Sequence, residues 1–318
     1  MKKLLLALTI LILSAVPNFS MAQGLDVKPE TTLLLPLAEG MSTRWVLPPA
    51  GPEFIKRYND MRVSLSIDND GHAWLGFADA TVLCPQKNYS FKLPETFWDF
   101  VCLDNGAILF ATTSRLALLR VIPAAGTQPA SVILQPVAML PPDCSRMVKG
   151  ADNCLYFICN DEKMRKNTVW LFKPQSYQGT RGIPEFQKVF VADVPVNAVA
   201  GDGVTTWVAS GKMIIRIDAQ KQLHRQYLHP HHAIVDLAYT KTGGLFYATG
   251  FAVGYAGDIG VVEFLNTRGP LIACAGSSMY VMFPDDYGLM AVDGVDRLKN
   301  YDLPLAGIKK VSALKHDQ

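Results

Sequence analysis

The chain has 318 residues, of which 49% are hydrophobic and 18% charged, with 24 Gly and 20 Pro. That length and composition suit one large all-β body with frequent turns and exclude a bundle of long helices. Lys and Arg total 30 against 28 Asp and Glu; without Lys2 and Lys3 the balance is 28 to 28. Such a balance excludes the basic patch of a nucleic-acid binder and the surface charge that would hold the chain to a membrane.

Taken in chain order, the first element is a leader. Lys2 and Lys3 precede an apolar run over residues 4–16, Pro17-Asn18 breaks it, and Ser20-Met21-Ala22 gives a small-x-small cleavage pattern. The run is shorter than the roughly 20 residues that span a bilayer. These features predict a signal peptide over 1–22, cleavage after Ala22, and a soluble periplasmic or secreted protein with no transmembrane anchor.

Residues 23–61 are expected to lend a closing strand to the last blade, from 32–36 or 44–47. A β-propeller is expected over 62–304 and a tail over 305–318. The propeller rests on one phrase, Ser66-Ile67-Asp68-Asn69-Asp70-Gly71-His72-Ala73-Trp74-Leu75-Gly76-Phe77, a strand, an acidic-Gly turn and a second strand. Echoes begin at Cys102, Gly150, Ala200 and Lys241, a spacing of roughly 35–50 residues that marks propeller blades. Inner strands are predicted to start near Val63, Asp99, Arg146, Asn197, Asp236 and Leu271, giving six blades. A seventh stays open if residues 31–48 form most of another. Outer strands follow at 81–84, 89–93, 117–121, 131–134, 168–173, 186–192, 213–218, 223–228, 260–265, 278–283, 288–292 and 299–303, alternating β-branched and aromatic residues between turn formers.

Six Cys, at 84, 102, 144, 154, 159 and 274, allow up to three disulfides in an oxidising compartment, or several buried free thiols. No CxxC pair supports a zinc ribbon or a thioredoxin-like site. Ser66, Asp68, Asp70 and Gly71 match the opening of a calcium loop, but Phe77 stands where a bidentate Glu belongs, which favours a plain turn. Neither a Gly-x-Ser-x-Gly elbow nor a phosphate loop is present.

Polar residues recur ten positions before the second-strand anchors, at Ser64, Asp99, Arg146 and Asn197, with Asp236 one off phase. These are the expected channel-mouth residues, and two readings stay open: a ligand site, or a wet channel that tolerates polarity. The phrase resembles the repeats of NHL-type six-bladed propellers. Glu39-Gly40, Asn197 and Asp236 are similar in order to the metal-binding elements of the senescence-marker and gluconolactonase family. That resemblance implies a metal-dependent lactonase, with the ion activating water or polarising the carbonyl and the Asp as base. Ser145-Arg146 stands where that family carries its second Asn-Asp element, and an Arg there favours an anion. His229, His231 and His232, on the same face as Asp236, add imidazole ligands, of which at most two could share one ion with Asp236.

With no complete catalytic set, the leading expectation is a non-catalytic binding or scaffold module for an envelope protein, peptide or glycan, without a required cofactor. The alternative is a metal-dependent lactonase or esterase with a divalent ion at the channel mouth, held by Glu39, Asn197, Asp236 and the His cluster.

Overall fold

The computed structural model describes residues 32–33, 41–59, 61–122, 131–161, 166–174, 186–229, 231–257, 260–295 and 298. The expected leader, Glu39, the 299–303 strand and the tail lie outside the described residues. The protein is a six-bladed β-propeller, as the sequence predicts. Its chain divides into two compact units, one built on 50–140 and one on 24–49 with the chain from 141 onward.

The smaller unit holds two four-stranded antiparallel sheets. Blade one is Val63–Ile67, Ala73–Phe77, Thr81–Cys84 and Tyr89–Lys92, and blade two is Asp99–Cys102, Ile108–Ala111, Arg115–Ile122 and Ser131–Met139. Between them lies a core of Trp74, Val82, Phe97, Phe100, Phe110 and their neighbours. Ahead of blade one the short helix Pro52–Tyr58 starts on Pro52 and carries Glu53 in its first turn and Lys56 and Arg57 in its last, each favouring a helix end. Its Tyr58 ring stacks on Phe77 at 3.9 Å. Seven residues are too few to show a helical period, which is why the sequence pattern misses this element.

The larger unit holds four sheets. Blade three runs Cys144–Lys149, Leu155–Asp161, Lys166–Phe172, Phe186–Ala192, and blade four Ala198–Gly201, Thr206–Ser210, Met213–Ile217, Leu223–Leu228. Blade five is Ile234–Tyr239, Leu245–Thr249, Ala252–Gly257 and Gly260–Asn266, and blade six Leu271–Ala275, Ser278–Phe283 and Gly288–Asp293. Ser42–Leu47 pairs with Gly288–Asp293 and gives blade six its fourth strand. Thr32–Leu33 pairs with Leu265 and Asn266, on blade five rather than the last blade. Ala252–Gly257 is a fully buried strand that the sequence reading passes over, because Gly254 and Gly257 read as turn residues.

The recurring phrase folds the same way in four blades. The amide of the fourth turn residue donates to the carbonyl of the first, Gly71 to Asp68, Gly106 to Leu103, Asn153 to Gly150 and Gly243 to Thr240. Each fourth residue has positive φ, 79°, 81°, 65° and 85° respectively, which Gly adopts freely and Asn tolerates. Of the six cysteines, Cys144 and Cys159 form one disulfide across the first two strands of blade three, and the other four are free thiols.

Candidate active site

In the larger unit, three blades meet around one guanidinium. Arg146 lies on the first strand of blade three, just past an irregularity in its pairing that follows Cys144. One terminal nitrogen, Nη1, donates to the Val235 carbonyl at 2.9 Å and to the Asn197 carbonyl at 3.2 Å. The other, Nη2, donates to Asp236 Oδ1. Asp236 Oδ1 also accepts the Leu237 amide at 2.8 Å, and Oδ2 accepts the Ile272 amide of blade six at 3.2 Å. Burial pushes the Asp236 carboxyl above the usual carboxylate range, while Arg146 and the two amides pull it the other way. The Arg146 side chain keeps 25% of its surface exposed against 6% for Asp236, so Arg146 is the more open member of the pair.

Asn197 turns its side-chain Nδ2 onto the Ile234 carbonyl at 3.1 Å, a tie between blades four and five. The free thiol of Cys274, on the first strand of blade six, is pushed up by burial and by the nearby Asp236 charge, with Lys149 opposing. It stays protonated near neutral pH and is no ready nucleophile.

His229 is 2% exposed and fully engaged. Its Nδ1 accepts the amides of His231 at 3.3 Å and His232 at 3.0 Å, which places the ring proton on Nε2, 2.9 Å from Glu263 Oε1. That bond holds the Glu263 carboxyl below its usual range. Neither ring nitrogen is left for an ion, and the His229 bond runs to the outer strand of blade five rather than to Asp236. His231 and His232 serve the site through their amides, and Pro230 lies outside the described residues. The expected ion set of Asn197, Asp236 and the His cluster therefore does not fit a metal: Arg146 and the Ile272 amide cap Asp236, the Asn197 amide is spent on a carbonyl, and His229 is closed.

The smaller unit carries the other two expected mouth residues and a separate polar group. Ser64 and Asp99 are both buried, and Asp99 Oδ1 accepts the Phe100 amide at 3.0 Å, as Asp236 does with Leu237. At the far end of blade one's first strand, Asp68, Asp70 and His72 each offer a ligand atom within 4.8 Å of the others, a group that could hold a divalent ion. Asp68 is heavily donated to: Oδ1 by the Asp70 and His72 amides at 3.0 and 2.9 Å, and Oδ2 by Trp74 Nε1 at 3.1 Å and Lys87 Nζ at 2.7 Å. Burial opposes ionisation, but these donors prevail and hold its carboxyl at about 2. The Lys87 ammonium also stands 3.9 Å from Asp70 Oδ2, so an ion entering here displaces it. Asp68, Asp70, Trp74 and Lys87, with Asp104, line a cavity of about 200 Å³.

No protein-family model and no curated protein matches the chain. Among solved structures it is similar to a catalytically inactive variant of virginiamycin B lyase from Staphylococcus aureus with quinupristin, at 10% identity over 80% of this chain and 99% of that one, TM-score 0.51. It is similar to the calcium-binding protein regucalcin from Agrobacterium tumefaciens, at 14% identity over 73% and 88% of the two chains, TM-score 0.50. A luciferin-regenerating enzyme matches at 11% identity over 87% and 99%, TM-score 0.50. What is shared is the fold. The resemblance to six-bladed propellers of the senescence-marker and gluconolactonase type holds at that level. The expectation of a non-catalytic binding or scaffold module is corrected by the same likenesses: the solved propellers of this fold include a lyase and a luciferin-regenerating enzyme.

The described residues contain no helix long and apolar enough to cross a membrane. Sequence reasoning found Arg146 and Asn197 by their phase, and Asp236 one residue off it. It did not find Val235, Ile272 or Glu263, whose parts are played by a main-chain carbonyl, a main-chain amide and an outer-strand carboxylate. Apolar neighbours give no sign of such main-chain roles.

Proposed function

We propose that the protein is an enzyme of the hydrolase or lyase class that opens ester bonds, lactones included, at the strand ends around Arg146 and Asp236. The observation that carries this reading is the state of Arg146. Three oxygens clamp its guanidinium in place, its side chain is a quarter exposed, and its Nε–H has no partner among the described residues. A donor held fixed on a part-exposed side chain is what a carbonyl oxygen needs as negative charge develops on it, because the donor's orientation is already set before the reaction. In a hydrolysis, water adds to the acyl carbon, the acyl C–O bond breaks, and a carboxylate and an alcohol leave. Asp236 orients Arg146 rather than activating water, since it is 4% exposed and engaged by Arg146 and two main-chain amides. The fold shared with a lyase and a luciferin-regenerating enzyme supports the class.

A panel of lactones and aryl esters tests the reading. Turnover by the mature protein is expected, with kcat/KM falling about 10²–10³-fold in Arg146→Ala, as when an oxyanion donor is removed. No turnover on any ester, or turnover indifferent to Arg146, overturns it. The leader over 1–22 makes this an exported enzyme in our reading; N-terminal sequencing of secreted material should begin at Gln23.

A further inference from the structure

We propose that the oxygens around Arg146 form a seat for a hard cation, and that this chain fills the seat with its own guanidinium. The ligand set points that way: one carboxylate oxygen, Asp236 Oδ1, and two main-chain carbonyl oxygens, of Val235 at 2.9 Å and Asn197 at 3.2 Å, with no nitrogen or sulfur among them. All-oxygen sets that mix carboxylate and main-chain carbonyl are those that calcium takes, at about 2.3–2.6 Å. Blades four and five supply the oxygens, and Arg146 reaches across from blade three. Its Nη1 and Nη2 stand in front of the same lone pairs an ion would use, so guanidinium and ion exclude one another.

Two consequences follow. The seat's positive charge is covalently part of the chain, so chelators have nothing to remove there. Resting on the ester-opening reading above, polarisation of the carbonyl then falls to a side chain, and turnover should survive chelation. The second consequence does not depend on that reading. Deleting the guanidinium leaves a buried carboxylate and two carbonyls facing a void, and such a set gains a drive to take a dication.

The test uses the full mature chain carrying Asp70→Asn, which disables the separate Asp68, Asp70 and His72 group at a side chain 71% exposed. Calcium and manganese chlorides are titrated at pH 8 by calorimetry and followed by thermal unfolding. The Asp70→Asn parent should take up no ion and show no shift in Tm. Adding Arg146→Ala should create one site, with Tm rising about 2–4 °C at saturating ion. Adding Asp236→Asn to that variant should abolish both. Ion binding by the parent that Asp236→Asn removes would overturn the proposal, as would a folded Arg146→Ala variant that takes no ion. Should Arg146→Ala fold only with calcium present, the seat is supported. Should it not fold at all, Arg146→Met, which fills part of the side chain's volume and places no donor on the three oxygens, is titrated instead, and failure to bind overturns the idea. Absence of turnover on every ester removes the ester-opening function and leaves the ion exchange standing. Loss of the ion result with an Arg146-dependent turnover removes only the seat.

Discussion

Asp68 and Asp236 are both buried carboxylates met by a cationic side chain, and they differ in where their partners come from. Asp68 in blade one is satisfied from within its own blade, by the amides of Asp70 and His72, by Trp74 and by Lys87. Asp236 draws Arg146 from blade three and an amide from blade six, 90 and 36 residues away. The local carboxylate ends with its acidity strengthened, the distant one with its acidity weakened by burial, although their cations are about equally open, Lys87 at 30% and Arg146 at 25% of the side-chain surface. A carboxylate tied up by its neighbours in sequence builds a turn, whereas one tied across blades can position another residue's charge.

The comparison breaks most visibly at Asp236. Asp236→Ala should cost about 3 kcal/mol in chemical unfolding, because it leaves the buried Leu237 and Ile272 amides without an acceptor, and abolish ester turnover by releasing Arg146. Next comes the covalent support beside Arg146. Cys144 and Cys159, 15 residues apart, close a small loop at the start of the strand that carries it. Cys159→Ser should lower stability by about 2–3 kcal/mol. Asp68→Asn is smaller still, about 2 kcal/mol at neutral pH from a carboxyl held at about 2 against an ordinary 3.8. Because that group is lowered, its contribution is present above 3.8 and fades as pH falls from there toward 2. The variant should therefore show a flatter acid-unfolding profile in that window. Asp236 has the opposite sign: its raised carboxyl contributes below the ordinary range and loses that contribution as pH rises through its raised value. Lys87→Met, at an ammonium 30% exposed beside Asp68 and 5.8 Å from the Trp74 ring centroid, should cost least, about 0.5–1 kcal/mol. Finding Lys87→Met as damaging as Asp236→Ala would erase the distinction between the two carboxylates.

The same division explains how much of the molecule can be read from the chain alone. Turns built from consecutive residues announce themselves: Asp68 to Gly71 and its echoes give the blade count and place the first strands within a residue or two of Val63, Asp99, Arg146, Asn197, Asp236 and Leu271. Phase also brings Arg146, Asn197 and Asp236 to corresponding strand ends. What phase cannot give is who bonds to whom. Arg146 reads as a repellent for a metal ion at a shared mouth, yet it stands on the very oxygen the ion was expected to use. His229 reads as a candidate metal ligand, and only the approach of Glu263, 34 residues on, shows that it is closed. Ala252–Gly257 disappears from the pattern because its glycines make room for tyrosines: a Cβ at Gly254 would come within 2.2 Å of the Tyr247 ring.

The pairing of Ser42–Leu47 with Gly288–Asp293 sets an order on the life of the chain. Synthesis makes Ser42–Leu47 about 240 residues ahead of its partner, so that strand waits without its ladder while the strands between them are made. Until the two meet, Gly288–Asp293 is itself the open edge of an unfinished blade, able to pair with another copy. Blade six is thus completed only when a strand made ahead of blade one meets one made after blade five.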